Sequence, residues 1–119
     1  NMFKTKWVID KILDAAESFK SINNFDPKIA CMGLSYKPDI DDLRESPSIE
    51  IVDKLTSMNF DVISVEPNIS HHDKYKLTKY NQAIKNADIL VYLVAHKEFN
   101  KKDLNSMPDK KILDFCGVI

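Results

Sequence analysis

Four short apolar segments recur along the chain, and stretches whose apolar residues repeat every three or four positions lie between them. Short apolar segments are typical of buried strands, and spacings of three and four are typical of helices. Because strands that alternate with helices pair in parallel, the pattern predicts an α/β fold with helices on both faces of one sheet. The predicted strands are residues 28–34, 61–67, 88–95 and 111–118. We therefore expect a three-layer α/β/α, Rossmann-like domain with a mainly parallel sheet of four or five strands, preceded by an N-terminal helix.

The helical stretches predict three helices, at residues 3–22, 47–59 and 80–87. Ser46 can accept a hydrogen bond at a helix start, and Pro47 fits the first helical position because its missing N–H is not needed there. The first helix carries an apolar face of Val8, Ile12, Ala15, Ala16, Phe19 and Ile22, and the second one of Ile49, Val52, Leu55 and Met58. Residues 75–77 offer a short edge strand, and residues 88–95, the longest apolar run, are the predicted central strand.

Two aromatic residues of the first helix, Phe3 and Trp7, point away from its apolar face. Large exposed aromatics in one patch usually have something packed against them. Three interpretations stay open: the helix end bends into its own domain, another subunit covers it, or an upstream segment does.

The composition excludes several classes of protein. A net charge of −1 argues against a nucleic-acid binder, which would carry a basic stripe. No run approaches the roughly 20 apolar residues of a membrane span, and no secretory signal opens the sequence. Cys31 and Cys116 lie in predicted strands without a CxxC pair, so we interpret them as buried small residues in a reduced protein. We expect a cytoplasmic domain with neither nucleic-acid nor membrane partners.

The segment from residue 33 to 45, GLSYKPDIDDLRE, follows the first predicted strand and is densely charged. Lys37 and Arg44 stand among four acids, Asp39, Asp41, Asp42 and Glu45. Ligands of open α/β sheets bind beyond the carboxyl ends of the strands. Two cations there could bind a diphosphate while the acids fix the loop. The alternative is a solvated loop whose charges neutralise one another.

Only two glycines, Gly33 and Gly117, occur in the chain. A glycine-rich dinucleotide loop or a P-loop therefore cannot be built from it. A nucleotide bound here has to be contacted by side chains, or its site has to be completed by another domain.

The histidines do not form a convincing metal site. His71 and His72 are adjacent, so their side chains diverge, and Asp73 with the distant His96 gives poor ligand spacing. We predict no metal site and interpret His96 as a surface residue at a strand end.

Three stretches carry a family resemblance: CMGLSYKPDIDDLRESPSIEIV at residues 31–52, VEPNI at 65–69 and DILVYLVAHKEF at 88–99. They resemble the C-terminal domain of UDP-glucose/GDP-mannose dehydrogenases, most of all the UDP-N-acetyl-D-mannosamine 6-dehydrogenase branch. KTKWVIDKI, residues 4–12, is similar to the end of the long helix that links the two halves of these enzymes. The resemblance implies that residues 1–24 end a linking and dimerisation helix and that residues 25–119 form the C-terminal UDP-sugar-binding domain.

The resemblance also implies an activity. Such enzymes use NAD to oxidise the C6 alcohol of a nucleotide sugar twice, to the carboxylate. By motif position, Tyr36 and Lys37 would contact the UDP-sugar, with Lys37 near its phosphates, and Arg44 would reach NAD bound on the other domain. Alternatives are the same domain of a UDP-glucose, UDP-N-acetylglucosamine or GDP-mannose 6-dehydrogenase, or a stand-alone nucleotide-binding module without catalysis.

The sequence also departs from the full family pattern. The family's catalytic cysteine, general-base residues and glycine-rich NAD loop belong to N-terminal and middle portions, and neither Cys31 nor Cys116 lies in the family's cysteine motif. We therefore expect no catalytic residue here, an inactive isolated domain, and a homodimer in the full-length enzyme. GVI, residues 117–119, replaces a family G-x-W-like ending, which leaves the role of that terminus open.

Overall fold

The structure is a computed structural model that describes residues 4–100, 104 and 109–118. Along the chain it contains three helices and four strands. They are α1 (Thr5–Asn23), β1 (Lys28–Met32), α2 (Pro47–Ser57), β2 (Asp61–Val65), α3 (Tyr80–Asn86), β3 (Ile89–Tyr92) and β4 (Lys111–Asp114).

The four strands form one parallel sheet in the order β2-β1-β3-β4. This confirms the predicted parallel sheet, with the predicted central strand β3 beside β1 in the middle. The chain passes from β1 to β2 on one side and then returns past β1 to β3. The strand order therefore reverses between β1 and β3, and a crevice is expected beyond the carboxyl ends of these two strands. The predicted edge strand at residues 75–77 is reduced to a single bridge between Ser64 and Leu77.

Helices cover both faces of the sheet, as predicted. Alternate residues of β1 point to opposite faces, so Ile29 and Cys31 join one core while Ala30 and Met32 join the other. The first core is completed by α1 and α2, and the second by α3. Residues from the helices in these cores are Val8, Ile12, Ala16, Ile51, Val52 and Leu55 on one side, and Ala83 and Ile84 on the other.

Two predicted core residues are exposed instead. Ile22 is 79% exposed, because the buried residues of α1 end at Ala16 and its last turn runs past the core. Met58 is 41% exposed, because it is the C-cap of α2 and its backbone has left the helix, so the helical spacing no longer applies. Ile51, which the predicted face omitted, is fully buried.

Trp7 is covered on one side by its own domain. Its ring packs edge-on against Phe115 with 5.7 Å between centroids, and Lys11 Nζ lies 5.5 Å from the ring. Half of the Trp7 surface, 51%, nevertheless stays exposed. Phe3, the other predicted outward aromatic, lies outside the described residues.

In the part of the chain that the structure describes, no helix is both long and apolar enough to cross a membrane.

Gly33 directly follows β1 and lies against Val94, two residues beyond the end of β3. It has a φ of +100°, and a Cβ added there would lie only 2.6 Å from Val94 Cβ. Any side chain at this position would therefore strain the backbone and clash with Val94.

We predict that Gly33→Ala lowers the free energy of unfolding by about 3 kcal/mol, through overpacking added to a strained φ. Gly117→Ala is the matched control, since Gly117 also has a positive φ of +85° but no atom within 4 Å of the added Cβ. It should cost only about 1 kcal/mol. Urea unfolding of both variants measures the difference, and equal losses would contradict a steric role for Gly33.

Candidate functional site

The charged segment of residues 33–45, called the charged loop below, lies at the reversal of strand order. It leaves the carboxyl end of β1 and ends at the start of α2. The Tyr36 N–H donates to the Asp42 carbonyl at 2.8 Å, which closes the loop around an exposed tip. Ser46 accepts the Ser48 N–H at 3.2 Å as the N-cap of α2, and its hydroxyl donates to the Ser35 carbonyl at 3.2 Å. The end of the loop is thus tied to its beginning.

The three predicted binding residues all lie on the exposed side of this loop. Tyr36 is 44% exposed, and Tyr36, Asp42, Arg44 and Glu45 line an open depression of about 600 Å³. Lys37 is exposed beside it, on the tip rather than in the lining. Within residues 4–100, 104 and 109–118, Lys37 makes no ion pair. The structure thus brings Tyr36 and Arg44 to one surface and leaves Lys37 exposed, while the binding roles of all three remain predictions.

Arg44 is paired with Asp42, an acid of its own loop. Its Nε and Nη2 donate to Asp42 Oδ1 and Oδ2 at 3.1 and 3.0 Å, and its backbone N–H donates to Oδ1 at 2.9 Å. These bonds lower the pKa of Asp42 to about 2. The pair is solvent-exposed, so it orients the guanidinium more than it stabilises the fold.

Glu66 is a buried carboxylate that the sequence analysis did not single out. It follows β2 directly and is only 3% exposed. Oε1 accepts the N–H groups of Leu34 and Ser35 at 2.9 and 3.0 Å, and Oε2 accepts the backbone N–H and the side-chain amide of Asn68 at 3.0 and 3.2 Å. Burial alone would raise the pKa of Glu66, but the hydrogen bonds from His96 and from the Asn68 and Leu34 N–H groups outweigh it and lower the pKa to about 2.

His96 is buried, so its interpretation as a surface histidine is wrong. It is 2% exposed, because the charged loop folds over the end of β3 and covers the ring. Nε2 lies 2.9 Å from Glu66 Oε1, and Nδ1 lies 2.8 Å from the backbone nitrogen of Asp39. Since Nδ1 has to accept the Asp39 N–H, the proton of the ring belongs on Nε2, where it is donated to Glu66. The geometry therefore assigns a neutral imidazole that joins a buried acid to the loop tip.

Ser35, Glu66 and His96 meet although they are far apart in the sequence. Ser35 follows the end of β1, Glu66 follows the end of β2 and His96 follows the end of β3, each within a few residues. Because parallel strands end at the same edge of a sheet, polar residues in these positions converge. That pattern was the sequence signal that could have identified the cluster.

Neither a metal nor a nucleophile emerges from the other reactive side chains. Among the described residues, no group of three His, Cys, Asp or Glu side chains could hold a metal ion. Cys31 is buried in β1 as predicted, whereas Cys116 is only partly buried because β4 ends before it, at Asp114. Burial raises the pKa of Cys31 to about 12, and partial burial together with Asp114 raises that of Cys116 to about 12. Neither thiol forms a thiolate near neutral pH, which argues against a nucleophilic role.

Comparison with known proteins gives consistent matches. Residues 30–119 match the UDP-glucose/GDP-mannose dehydrogenase family, UDP binding domain. The chain is 41% identical over 121 residues to the UDP-N-acetyl-D-mannosamine dehydrogenase of Campylobacter jejuni, covering 95% of this chain and 27% of that protein. It is 38% identical to the NDP-N-acetyl-D-galactosaminuronic acid dehydrogenase of Ralstonia solanacearum, covering 99% of this chain and 28% of that protein.

A solved structure agrees with these matches. The UDP-N-acetyl-mannosamine dehydrogenase of Staphylococcus aureus superposes with a TM-score of 0.77 at 26% identity, covering 97% of this chain and 27% of that one. The chain thus spans little more than a quarter of the length of the relatives it matches.

We predict that the Glu66 carboxylate makes folding stability depend on acid pH. Its folded-state pKa of about 2 lies below the ordinary value of 4.5, so its stabilisation is complete above pH 4.5 and is lost as the pH falls towards 2. Between about pH 6 and pH 2 this group alone should remove roughly 3 kcal/mol of unfolding free energy.

Glu66→Gln should unfold more easily at neutral pH and lose most of this acid dependence. Glu17→Gln, on an exposed position of α1, is the control and should retain it. Urea unfolding at several pH values measures both, and an unchanged pH profile in Glu66→Gln would contradict the assignment.

Proposed function

Because the chain belongs to the UDP-glucose/GDP-mannose dehydrogenase family, as its C-terminal UDP-binding domain, we propose that it binds the UDP part of UDP-N-acetyl-D-mannosamine. The complete enzyme would oxidise the C6 alcohol of this sugar nucleotide to the carboxylate in two NAD-dependent steps. The observation that carries the proposal is the placement of Tyr36, Lys37 and Arg44 on the exposed side of a loop at the reversal of strand order.

The diphosphate would be bound by side chains rather than by backbone N–H groups. In a glycine-rich nucleotide loop, N–H groups after the first strand point at the phosphates. Here the corresponding N–H groups of Leu34 and Ser35 donate to Glu66. The Lys37 ammonium, unpaired among the described residues, is therefore the cation we assign to the phosphates, with Tyr36 beside it contacting the UDP-sugar.

NAD would be bound mainly outside this chain. The Leu34 and Ser35 N–H groups are already bonded to Glu66, so they are not available to a dinucleotide. The chain also has only two glycines, too few for a glycine-rich dinucleotide loop. Arg44 does fit an auxiliary role, since its exposed guanidinium uses two N–H donors on Asp42 and keeps the others available. When bound, NAD supplies the hydride acceptor, and Arg44 would contribute a positive charge to its binding.

The remaining parts of the reaction are assigned to N-terminal and middle portions of the enzyme. The raised pKa values of Cys31 and Cys116 support this assignment. Residues 1–24 would then be the end of the linking helix, and residues 25–119 the UDP-sugar-binding domain. We also propose that the cytoplasmic full-length enzyme is a homodimer in which the exposed half of Trp7 is covered.

A second candidate is the same oxidation of a different N-acetylated sugar nucleotide. The 38% identity to an NDP-N-acetyl-D-galactosaminuronic acid dehydrogenase favours it almost as much as the 41% match favours N-acetylmannosamine. The two candidates share the UDP-binding role of this chain. Complete enzyme assayed with UDP-N-acetylmannosamine and UDP-N-acetylgalactosamine separates them.

We predict that UDP-N-acetyl-D-mannosamine, titrated into the millimolar range, shifts the amide resonances of residues 35–44 saturably in an NMR experiment on this chain. Lys37→Ala should weaken binding about tenfold, because it removes a charge-assisted contact to phosphate. Lys28→Ala is the matched control, since it removes the same charge from an exposed position at the opposite end of β1.

Shifts that centre elsewhere, or that are equally strong in Lys37→Ala and wild type, would contradict the role of Lys37. Titration with UDP alone completes the design. Equal affinity for UDP and the UDP-sugar is expected if this chain contacts chiefly the nucleotide.

A further inference from the structure

The charged loop is anchored by two side chains that lie outside it. Glu66, at the end of β2, accepts the N–H groups of Leu34 and Ser35 where the loop begins. His96, after β3, accepts the N–H of Asp39 at the loop tip. Lys37 lies between these two attachments. The part of the loop that we assign to phosphate binding is therefore fixed from both directions.

The attachments extend to the backbone next to Lys37. The Ser35 hydroxyl donates to the Lys37 carbonyl at 2.7 Å and lies 3.2 Å from His96 Nε2. Asp39, whose φ is +60°, also accepts the Lys97 N–H on Oδ1 at 2.9 Å. The backbone on each side of Lys37 is bonded while its side chain is exposed to solvent.

From this arrangement, and resting on the proposed function, we infer that Glu66 and His96 are positioning residues for binding of the diphosphate. They set the direction in which Tyr36 and Lys37 leave the backbone, and they do not touch the nucleotide. Both side chains are 0% exposed, and both carboxylate oxygens are already bonded. They order the loop before the ligand binds. Binding therefore does not carry the entropic cost of ordering the loop.

Histidine suits this position because one ring nitrogen donates a hydrogen bond while the other accepts one. The Nε2–H group satisfies the buried carboxylate of Glu66, which matters for folding. Nδ1 accepts the Asp39 N–H, which fixes the loop tip. Substitutions that keep one nitrogen's function and remove the other's can therefore separate stability from positioning.

Two variants of His96 make this separation. In His96→Gln the side-chain amide can still donate to Glu66, but nothing replaces Nδ1 as the acceptor for Asp39. In His96→Asn the side-chain oxygen can replace Nδ1, but the donor to Glu66 is lost. We expect the urea midpoint of unfolding of His96→Gln to be close to that of the wild type. The Asp39 amide should nevertheless lose its hydrogen-exchange protection, and UDP-N-acetyl-D-mannosamine should bind about tenfold more weakly.

His96→Asn should show the opposite pattern, with easier unfolding but a protected Asp39 amide and nearly wild-type affinity. In the wild type, long-range ¹H–¹⁵N correlation should show a neutral ring with the proton on Nε2. Ser35→Ala is the further variant if His96→Gln fails to fold. It removes the bond to the Lys37 carbonyl and the 3.2 Å contact with His96 Nε2, but it keeps both side chains of the Glu66–His96 bond, and it should weaken binding about threefold.

Wild-type affinity in His96→Gln together with an unprotected Asp39 amide would overturn the inference and leave the proposed function standing. Wild-type affinity in Ser35→Ala, or a ring protonated on Nδ1, would also overturn it. Absence of binding by the wild type, despite a protected Asp39 amide, would overturn the proposed function and this inference with it.

Discussion

The Glu66 carboxylate is the charge around which the ends of three strands are arranged. A carboxylate removed from water is very unfavourable unless donors replace the lost hydration. Glu66 receives them from the start of the charged loop, from Asn68 in the turn after β2, and from His96 after β3. The donors are mostly backbone N–H groups, so they stay in place only if the loop, the turn and the strand end adopt one particular geometry. Satisfying a single buried charge therefore constrains the loop, the turn and the strand end that meet at this edge of the sheet.

The same arrangement distinguishes this domain from dinucleotide-binding relatives of its fold. In those folds an acid at the end of the second strand binds the ribose and the N–H groups after the first strand bind phosphate. Here the two sets of groups are bonded to each other. An internal anion therefore occupies the backbone donors, so our proposal assigns nucleotide recognition to side chains on the loop.

Local patterns in the sequence were sufficient for most of the fold. The predicted strands begin at residues 28, 61 and 111, as they do in the structure, and α2 begins at Pro47 as its cap predicted. All four predicted strands ran too long at their carboxyl ends, since the strands of the structure end at Met32, Val65, Tyr92 and Asp114. The first prediction included Gly33 and Leu34 because the apolar run continues through them, although the positive φ of Gly33 ends the strand. Ile22 and Met58 fit a helical face but lie where the core, or the helix, has already ended.

For the site, the sequence located the loop but not what fixes it. Tyr36, Lys37 and Arg44 could be proposed as binding residues from the sequence alone, because charge density and motif are local properties. The burial of His96 depends on Asp39, 57 positions earlier in the chain, and no periodic pattern encodes such a contact. Only the order of the strands brings the two together.

The Ser46 hydroxyl couples the charged loop to the beginning of α2. The same oxygen caps the first turn of α2 and donates to the Ser35 carbonyl. If the loop detaches, the cap loses its orientation, and if the first turn unwinds, the loop loses its closing bond. The loop and the beginning of α2 should therefore open as one cooperative unit, rather than as a mobile surface segment on a rigid helix. A ligand that binds the closed loop would then also stabilise the beginning of α2.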